Sequence, residues 1–134
     1  MSFSYKFVML VDDDEMDNII HQKIIESNKF SEKVMVFHTG REALAYLRKN
    51  AKSAENLPDL IFLDINMPIM DGFQFLEEFE HLDAQILDKC KIIMLTSSIS
   101  PRDIDRAASN RYVKKYLNKP LHSRHLQAIS LENV

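Results

Sequence analysis

The chain is predicted to fold as a doubly wound α/β domain, and three observations carry that expectation. Its apolar residues fall into five short runs separated by longer amphipathic segments, the sequence form of alternating strands and helices. Three of those runs are almost continuous in Val, Ile, Leu, Met and Phe instead of alternating with polar residues, as in strands covered on both faces. Right-handed crossovers between parallel strands then put helices on both sides of one sheet.

Phe7 to Val11 predicts the first strand, and Met16, Ile20 and Ile24, with Ile19 beside them, recur at the spacing of a helix face. Val34 to Phe37 is the second strand. Thr39-Gly40 then opens a second helix whose stripe is Ala43, Leu44 and Leu47. Pro58 precedes the third strand, Leu60 to Leu63, and Leu76, Phe79, Leu82 and Ile86 read as one third helix. Ile92 to Leu95 is the fourth strand. Ser100-Pro101 supplies a hydroxyl N-cap and a proline at the first helical position, and Asp103, Ile104, Ala107 and Ala108 continue that fourth helix. The weaker run Val113 to Leu117 is the fifth strand, followed by a short helix from Ser123 to about Leu131 with Leu126 and Ile129 on one face.

Composition bounds what such a domain does. With 134 residues, 46% hydrophobic and 28% charged, the chain suits one domain over residues 1–134, burying roughly two-thirds of its unfolded surface. Its formal charge is −3 and it has no long Lys/Arg run, which argues against direct nucleic-acid binding. The single Cys90 cannot form an internal disulfide, and Gly40 and Gly72 are too few for a Rossmann or P-loop phosphate cradle. No apolar run is long enough for a signal peptide or membrane span, so a cytoplasmic protein is expected.

In doubly wound sheets ligands bind beyond the carboxyl ends of the strands, so function is sought where the apolar runs stop. The first ends in Asp12-Asp13-Asp14-Glu15, the third in Asp64-Ile65-Asn66-Met67-Pro68, the fourth in Thr96-Ser97-Ser98, and the fifth in Asn118-Lys119-Pro120. All four ends are polar in the same place. Asp12, Asp13 and Asp64 would then crowd together beside the Thr96 hydroxyl and the Lys119 ammonium. Close carboxylates repel, so the cluster is expected to raise a pKa or to recruit a cation. Oxygen-only ligands with open positions suit Mg²⁺, a metal that keeps waters and meets phosphate. The implied chemistry is phosphoryl transfer.

Asp12-Asp13, Asp64 with Met67-Pro68 and Asp71-Gly72, Thr96, and Lys119-Pro120 together resemble the receiver domain of two-component response regulators, the chemotaxis-protein-like family. The resemblance covers nearly the whole chain, with a core of about residues 7–131. It implies a flavodoxin-like (βα)5 fold and a signalling module, not an enzyme acting on an external metabolite. Carried over residue by residue, it makes Asp64 the phosphoacceptor for a phosphohistidine of a sensor histidine kinase or histidine phosphotransfer protein. Asp13, Asp64 and the backbone carbonyl of Asn66 would hold Mg²⁺ directly, and Asp12 through water. Lys119 and Thr96 would contact the phosphoryl group, and the Lys119–Pro120 bond is expected to be cis. Thr96 and Tyr116 would form a switch that alters contacts with a downstream protein target, as a monomer or as a phosphorylation-dependent dimer.

Gly72 is expected to serve a turn with positive φ, and Asn110, in place of a common glycine, to tolerate a left-handed turn. Ser97 is small enough for its N–H to face the phosphate. Asp14, Glu15 and Asp17 read as a solvated, acid-rich helix start, Met67 and Met70 as packing residues, Cys90 as inert, and His122 with His125 as surface helix. A different class, a haloacid-dehalogenase-like phosphatase, would take Asp12 as nucleophile and Asp14 as acid/base. It leaves Asp64 without a role.

Overall fold

In the computed structural model, which describes residues 3–134, the chain runs β1 (Tyr5–Val11), α1 (Glu15–Ser27), β2 (Ser31–Phe37), α2 (Gly40–Lys49), β3 (Leu60–Leu63), α3 (Gly72–Phe79), α4 (Ala84–Lys89), β4 (Lys91–Thr96), α5 (Pro101–Ala108), β5 (Val113–Asn118) and α6 (Ser123–Glu132). Met1 and Ser2, the start of the domain expected over 1–134, lie outside the described residues. The five strands form one sheet in the order β2-β1-β3-β4-β5, every pairing parallel. Because β1 connects outward to β2 on one side while β3 lies on its other side, the sheet changes direction between β1 and β3. A crevice must open there.

Alternation along the central strands divides the core in two. Phe7, Met9 and Val11 of β1, with Ile61 and Leu63 of β3 and Ile92 and Met94 of β4, pack against α2, α3, α4 and α5 through Leu44, Leu47, Phe75, Phe79, Ile86 and Ala107. Val8, Leu10, Leu60, Phe62, Ile93 and Leu95 pack on the opposite face against Ile25 of α1 and Leu126 and Ile129 of α6. Both faces of these strands are apolar because both are covered. The edge strands β2 and β5 are only half-buried over most of their length, which is why their sequence runs are weaker.

Two helices depart from expectation. The stripe Leu76, Phe79, Leu82 and Ile86 does face the core, but from two helices and the turn between them, which carries Leu82, not from one helix. After Phe79 the chain tightens through hydrogen bonds of His81 N–H to the Glu78 carbonyl and Leu82 N–H to the Phe79 carbonyl. A new helix then starts at Asp83, whose carbonyl accepts from Ile86 and Leu87.

The second departure is the phase of α1. Met16 is 65% exposed, and Ile19 and Ile20 are 45% and 46% exposed, whereas Asn18, His21 and Ile25 are buried. Polar anchoring sets this rotation. Asp14 caps the helix by accepting from the Asp17 N–H, and the Asn18 amide donates to the Asp12 carbonyl at 2.8 Å, turning the Asn18 face onto the sheet.

Of the smaller expectations, the one for Asn110 is corrected, and those for Cys90 and for His122 with His125 hold. Asn110 is not left-handed; its side-chain oxygen accepts from the Tyr112 N–H at 2.9 Å and shapes the turn before β5 that way. Cys90 is buried, which pushes its thiol up to about 12 and leaves it protonated and unreactive. The His125 ring accepts from the His122 N–H at 3.1 Å, a helix-start contact.

Candidate functional site

The backbone ladder carries the functional residues to one edge of the sheet. Asp12, Asp64 and Lys119 each follow the last residue of a strand, and each continues its ladder by one bond: Asp12 N–H to the Phe37 carbonyl at 3.1 Å, Asp64 N–H to the Val11 carbonyl at 3.0 Å, and Lys119 N–H to the Thr96 carbonyl at 2.9 Å. Sheet hydrogen bonds, not loops, therefore hold these side chains. The Lys119–Pro120 bond is cis, as the resemblance implied.

At the crevice, carboxylate oxygens of Asp12, Asp13 and Asp64 lie within 4.8 Å of one another. The Lys119 ammonium sits among acidic side chains, 2.7 Å from Asp12 Oδ2, 2.7 Å from Asp17 Oδ2 and 3.3 Å from Asp64 Oδ2. Burial works against its charge, but the hydrogen bonds to Asp12 and Asp17 and the charge of Asp64 outweigh that and hold its pKa above the ordinary lysine value. Asp64 responds in the opposite sense. Its burial and then the Asp12 charge raise its carboxyl above the usual carboxylate range, against the pull of Lys119 and a Thr96 hydrogen bond.

The two acids at the end of β1 are not equivalent. Asp12 is buried and both its oxygens are engaged, Oδ1 by the Asp14 N–H at 2.9 Å and Oδ2 by Lys119. Asp13 is exposed, and its carboxylate makes no hydrogen bond or ion pair with the described residues. Together with Asp17, Asp64, Asn66, Ser97 and Lys119 it lines an open cleft of about 300 Å³. An all-oxygen donor set with one free carboxylate and one cation for several anions fits a hard divalent metal.

Thr96 is fully buried, its hydroxyl helps hold the Asp64 carboxyl down against burial, and its oxygen accepts from the Ser98 N–H at 3.2 Å. The Ser98 carbonyl in turn accepts from the Tyr116 hydroxyl at 2.9 Å and the Asn118 amide at 2.9 Å. Tyr116 is thus tied to the loop that follows Thr96.

Gly72 has no positive φ; its role is close approach. A Cβ there would fall 2.5 Å from the Asp64 carbonyl oxygen and 2.9 Å from the Ile65 Cα, and the Gly72 N–H donates to the Ile65 carbonyl at 2.8 Å. The positive φ in this segment belongs instead to Ile69, at 70°, a strain of about 1–2 kcal/mol for an L-residue. Gly72→Ala is expected to destabilise by about 1–3 kcal/mol and to slow reaction at Asp64 by pushing its backbone. Thermal unfolding and phosphorylation rate check this; a variant with wild-type values in both would show that the segment shifts freely.

Three polar residues at the site escaped sequence reasoning. Asp17 reads in the sequence as one of several acids favoured at a helix start by the dipole, and nothing local distinguishes it as the one that reaches Lys119. Asn118 carried no signal beyond its place before Lys119. Asn18 would have been found only by treating a polar residue as the helix anchor.

The family model for the response regulator receiver domain matches residues 8–130. The chain belongs to that family. The receiver is 32% identical to chemotaxis protein CheY of Bacillus subtilis over 92% of this chain and 93% of that one. Among solved structures it is similar to a two-component response regulator from Cytophaga hutchinsonii, with a TM-score of 0.84 and 28% identity over 95% of this chain and 97% of that chain. It is also similar to the phosphorylated cyanobacterial phytochrome response regulator RcpA, with a TM-score of 0.73 and 29% identity over 96% and 91%. The flavodoxin-like (βα)5 fold and the phosphoaccepting function follow, and the acidic cluster is the receiver's metal-site geometry. As a receiver, the domain modifies itself and is not an enzyme for an external metabolite. The phosphatase alternative fails with this assignment. No helix among the described residues is long and apolar enough to cross a membrane.

Proposed function

We propose that Asp64 accepts a phosphoryl group from the phosphohistidine of a sensor histidine kinase or histidine phosphotransfer protein, with Mg²⁺ held by Asp13, Asp64 and the Asn66 carbonyl, and by Asp12 through water. The observation that carries this reading is the free Asp13 carboxylate within 4.8 Å of Asp64 and Asp12, opposite a lysine that reaches both of those acids. When bound, the metal supplies positive charge to oxygens of the phosphoryl group. An Asp64 oxygen attacks phosphorus, the bond from phosphorus to the donor imidazole breaks, and its electron pair returns to that nitrogen, which takes up a proton. Lys119 neutralises the charge left on the acyl phosphate, Thr96 donates its hydroxyl to it, and the Ser97 N–H faces it from the cleft wall.

The exposed Met16, Ile19 and Ile20 of α1 give the donor an apolar surface beside the acidic cleft. Residues 1–134 are read as one cytoplasmic receiver domain, monomeric or dimerising on phosphorylation, that acts on a downstream protein. Residues 101–134, with seven basic and three acidic side chains, suit an acidic target.

The switch runs from Thr96 to Tyr116 through their shared attachment to Ser98. Drawing the Thr96 hydroxyl toward a phosphoryl group disturbs the Ser98 N–H that it accepts, while Tyr116 holds the carbonyl of the same residue. Beryllofluoride with Mg²⁺ is expected to shift amide resonances from Ser97 through the first turn of α5 and at Tyr116. In Tyr116→Phe the shifts should shrink to the cleft. Wild-type shifts already confined to the cleft would sink the coupling.

A further inference from the structure

Lys119 is held by a carboxylate that the receiver reading leaves without a role. Its ammonium has three protons and three close carboxylates, and Asp17 Oδ2, at 2.7 Å, is nearer than the phosphoacceptor oxygen at 3.3 Å. The Lys119 side chain is only 10% exposed, so it has little room to leave this triangle as a whole. Of the three anions, Asp12 and Asp64 are buried at strand ends, with an oxygen of each bonded to a backbone N–H. Asp17 differs. It sits on the first turn of α1, 32% exposed, where its own N–H bonds to Asp14 Oδ1 while one side-chain oxygen reaches across the cleft to Lys119.

We propose that Asp17 is a positioning residue that tethers Lys119 in the resting receiver and must release it when the phosphoryl group forms on Asp64. The inference rests on Asp64 as the phosphoacceptor. Once the acyl phosphate is present, its oxygens and Asp17 compete for the same ammonium proton, and Asp17, facing water, is the partner that loses least on letting go. Asp17 also stands in the cleft as a negative charge that an incoming phosphate must approach. The tether therefore weakens the phosphorylated state relative to the resting one, and its removal shifts the balance toward phosphorylation.

The test is titration of the whole domain with beryllofluoride at fixed, saturating Mg²⁺, followed by NMR of the backbone amides and of the Lys119 ammonium. Asp17→Asn, and Asp17→Ala in case the amide still accepts from Lys119, are expected to lower the beryllofluoride concentration at half-saturation roughly fivefold. The resting Lys119 ammonium resonance should also move toward its beryllofluoride-bound position. Asp14→Asn supplies the charge control, since it removes the same charge from the same cleft, keeps an N-capping side chain and leaves the three contacts of Lys119 in place. A gain confined to the Asp17 variants supports the tether. Equal gains in the Asp14 and Asp17 variants would show a general charge effect and overturn it, as would no gain in either Asp17 variant. Wild-type protein that takes up no beryllofluoride would overturn the phosphoacceptor reading itself and the tether with it.

Discussion

Asp64→Asn is expected to abolish phosphoryl uptake from acetyl phosphate and from phosphohistidine donors while making the folded protein more stable. The first effect follows from the nucleophile, because an amide oxygen cannot form a stable acyl phosphate. The second follows from linkage. Burial, and then the Asp12 charge, raise the Asp64 carboxyl in the folded state above its ordinary value near 3.8. A group with a raised folded pKa stabilises the fold in its protonated form, below the unfolded value, and that stability is lost as pH rises through the folded value. At neutral pH the ionised Asp64 is thus a burden that the native state carries for function. The neutral isostere removes it, with a gain of about 0.5–2 kcal/mol, in the range typical of relieving active-site strain. Intact-mass measurement after acetyl phosphate with Mg²⁺ checks the first effect, and urea unfolding at pH 7 and pH 4 checks the second. The stability gain should shrink at the lower pH, where the wild-type Asp64 is partly protonated. Phosphoryl incorporation that persists in Asp64→Asn would sink the assignment, and a loss of stability at pH 7 would sink the electrostatic account.

Lys119→Met should act in the opposite direction. The lysine neutralises Asp12 and Asp64, whose side chains are only 6% and 7% exposed, and its own side chain is 10% exposed. Deleting the ammonium leaves two buried carboxylates facing each other with no cation. Breaking a fully buried pair in this way costs about 3–5 kcal/mol. The open cleft and the part-exposed Asp17 admit water, so about 2–4 kcal/mol is expected here in the presence of a chelator. Saturating Mg²⁺ should return part of that loss, because the metal supplies positive charge between the same oxygens. The measurement is unfolding of wild type and variant in chelator and in Mg²⁺. A loss below about 1 kcal/mol with no dependence on Mg²⁺ would mean that the carboxylates relax away from one another or protonate.

The strand ends were readable because they need only order along the chain. An apolar run covered on both faces stops where the sheet reaches its edge, and the next residue takes its place from the last ladder bond. Asp12, Asp64, Thr96 and Lys119 were therefore found without knowing any helix orientation. Rotation about a helix axis was a different matter. The stripe of Met16, Ile20 and Ile24, with Ile19 beside it, has good amphipathic spacing, yet only Ile24 packs against the core, while the hydrogen bond from Asn18 to the Asp12 carbonyl and the Asp14 cap go with Met16, Ile19 and Ile20 facing solvent. Periodicity reports that a face exists and not which neighbour claims it. The break between α3 and α4 escaped for a related reason, since two short helices with a tight turn between them and one long helix can present the same four apolar residues to the core.

What the sequence by itself determined is the chemistry available at one edge of a parallel sheet: three carboxylates, a hydroxyl and a lysine, each at the end of a recognisable strand. Which carboxylates share that lysine was decided only by the tertiary structure. Asp17 and Lys119 are 102 residues apart, and they meet because α1 leaves β1 at the angle and phase set by its polar anchors. Gly72 makes the same point at shorter range, required not by its own backbone angles but by the Asp64 carbonyl that the folded chain brings against it. Local pattern specifies which groups stand at each strand end. Contacts across the fold specify which of them touch, because those distances depend on packing angles that no run of neighbouring residues encodes.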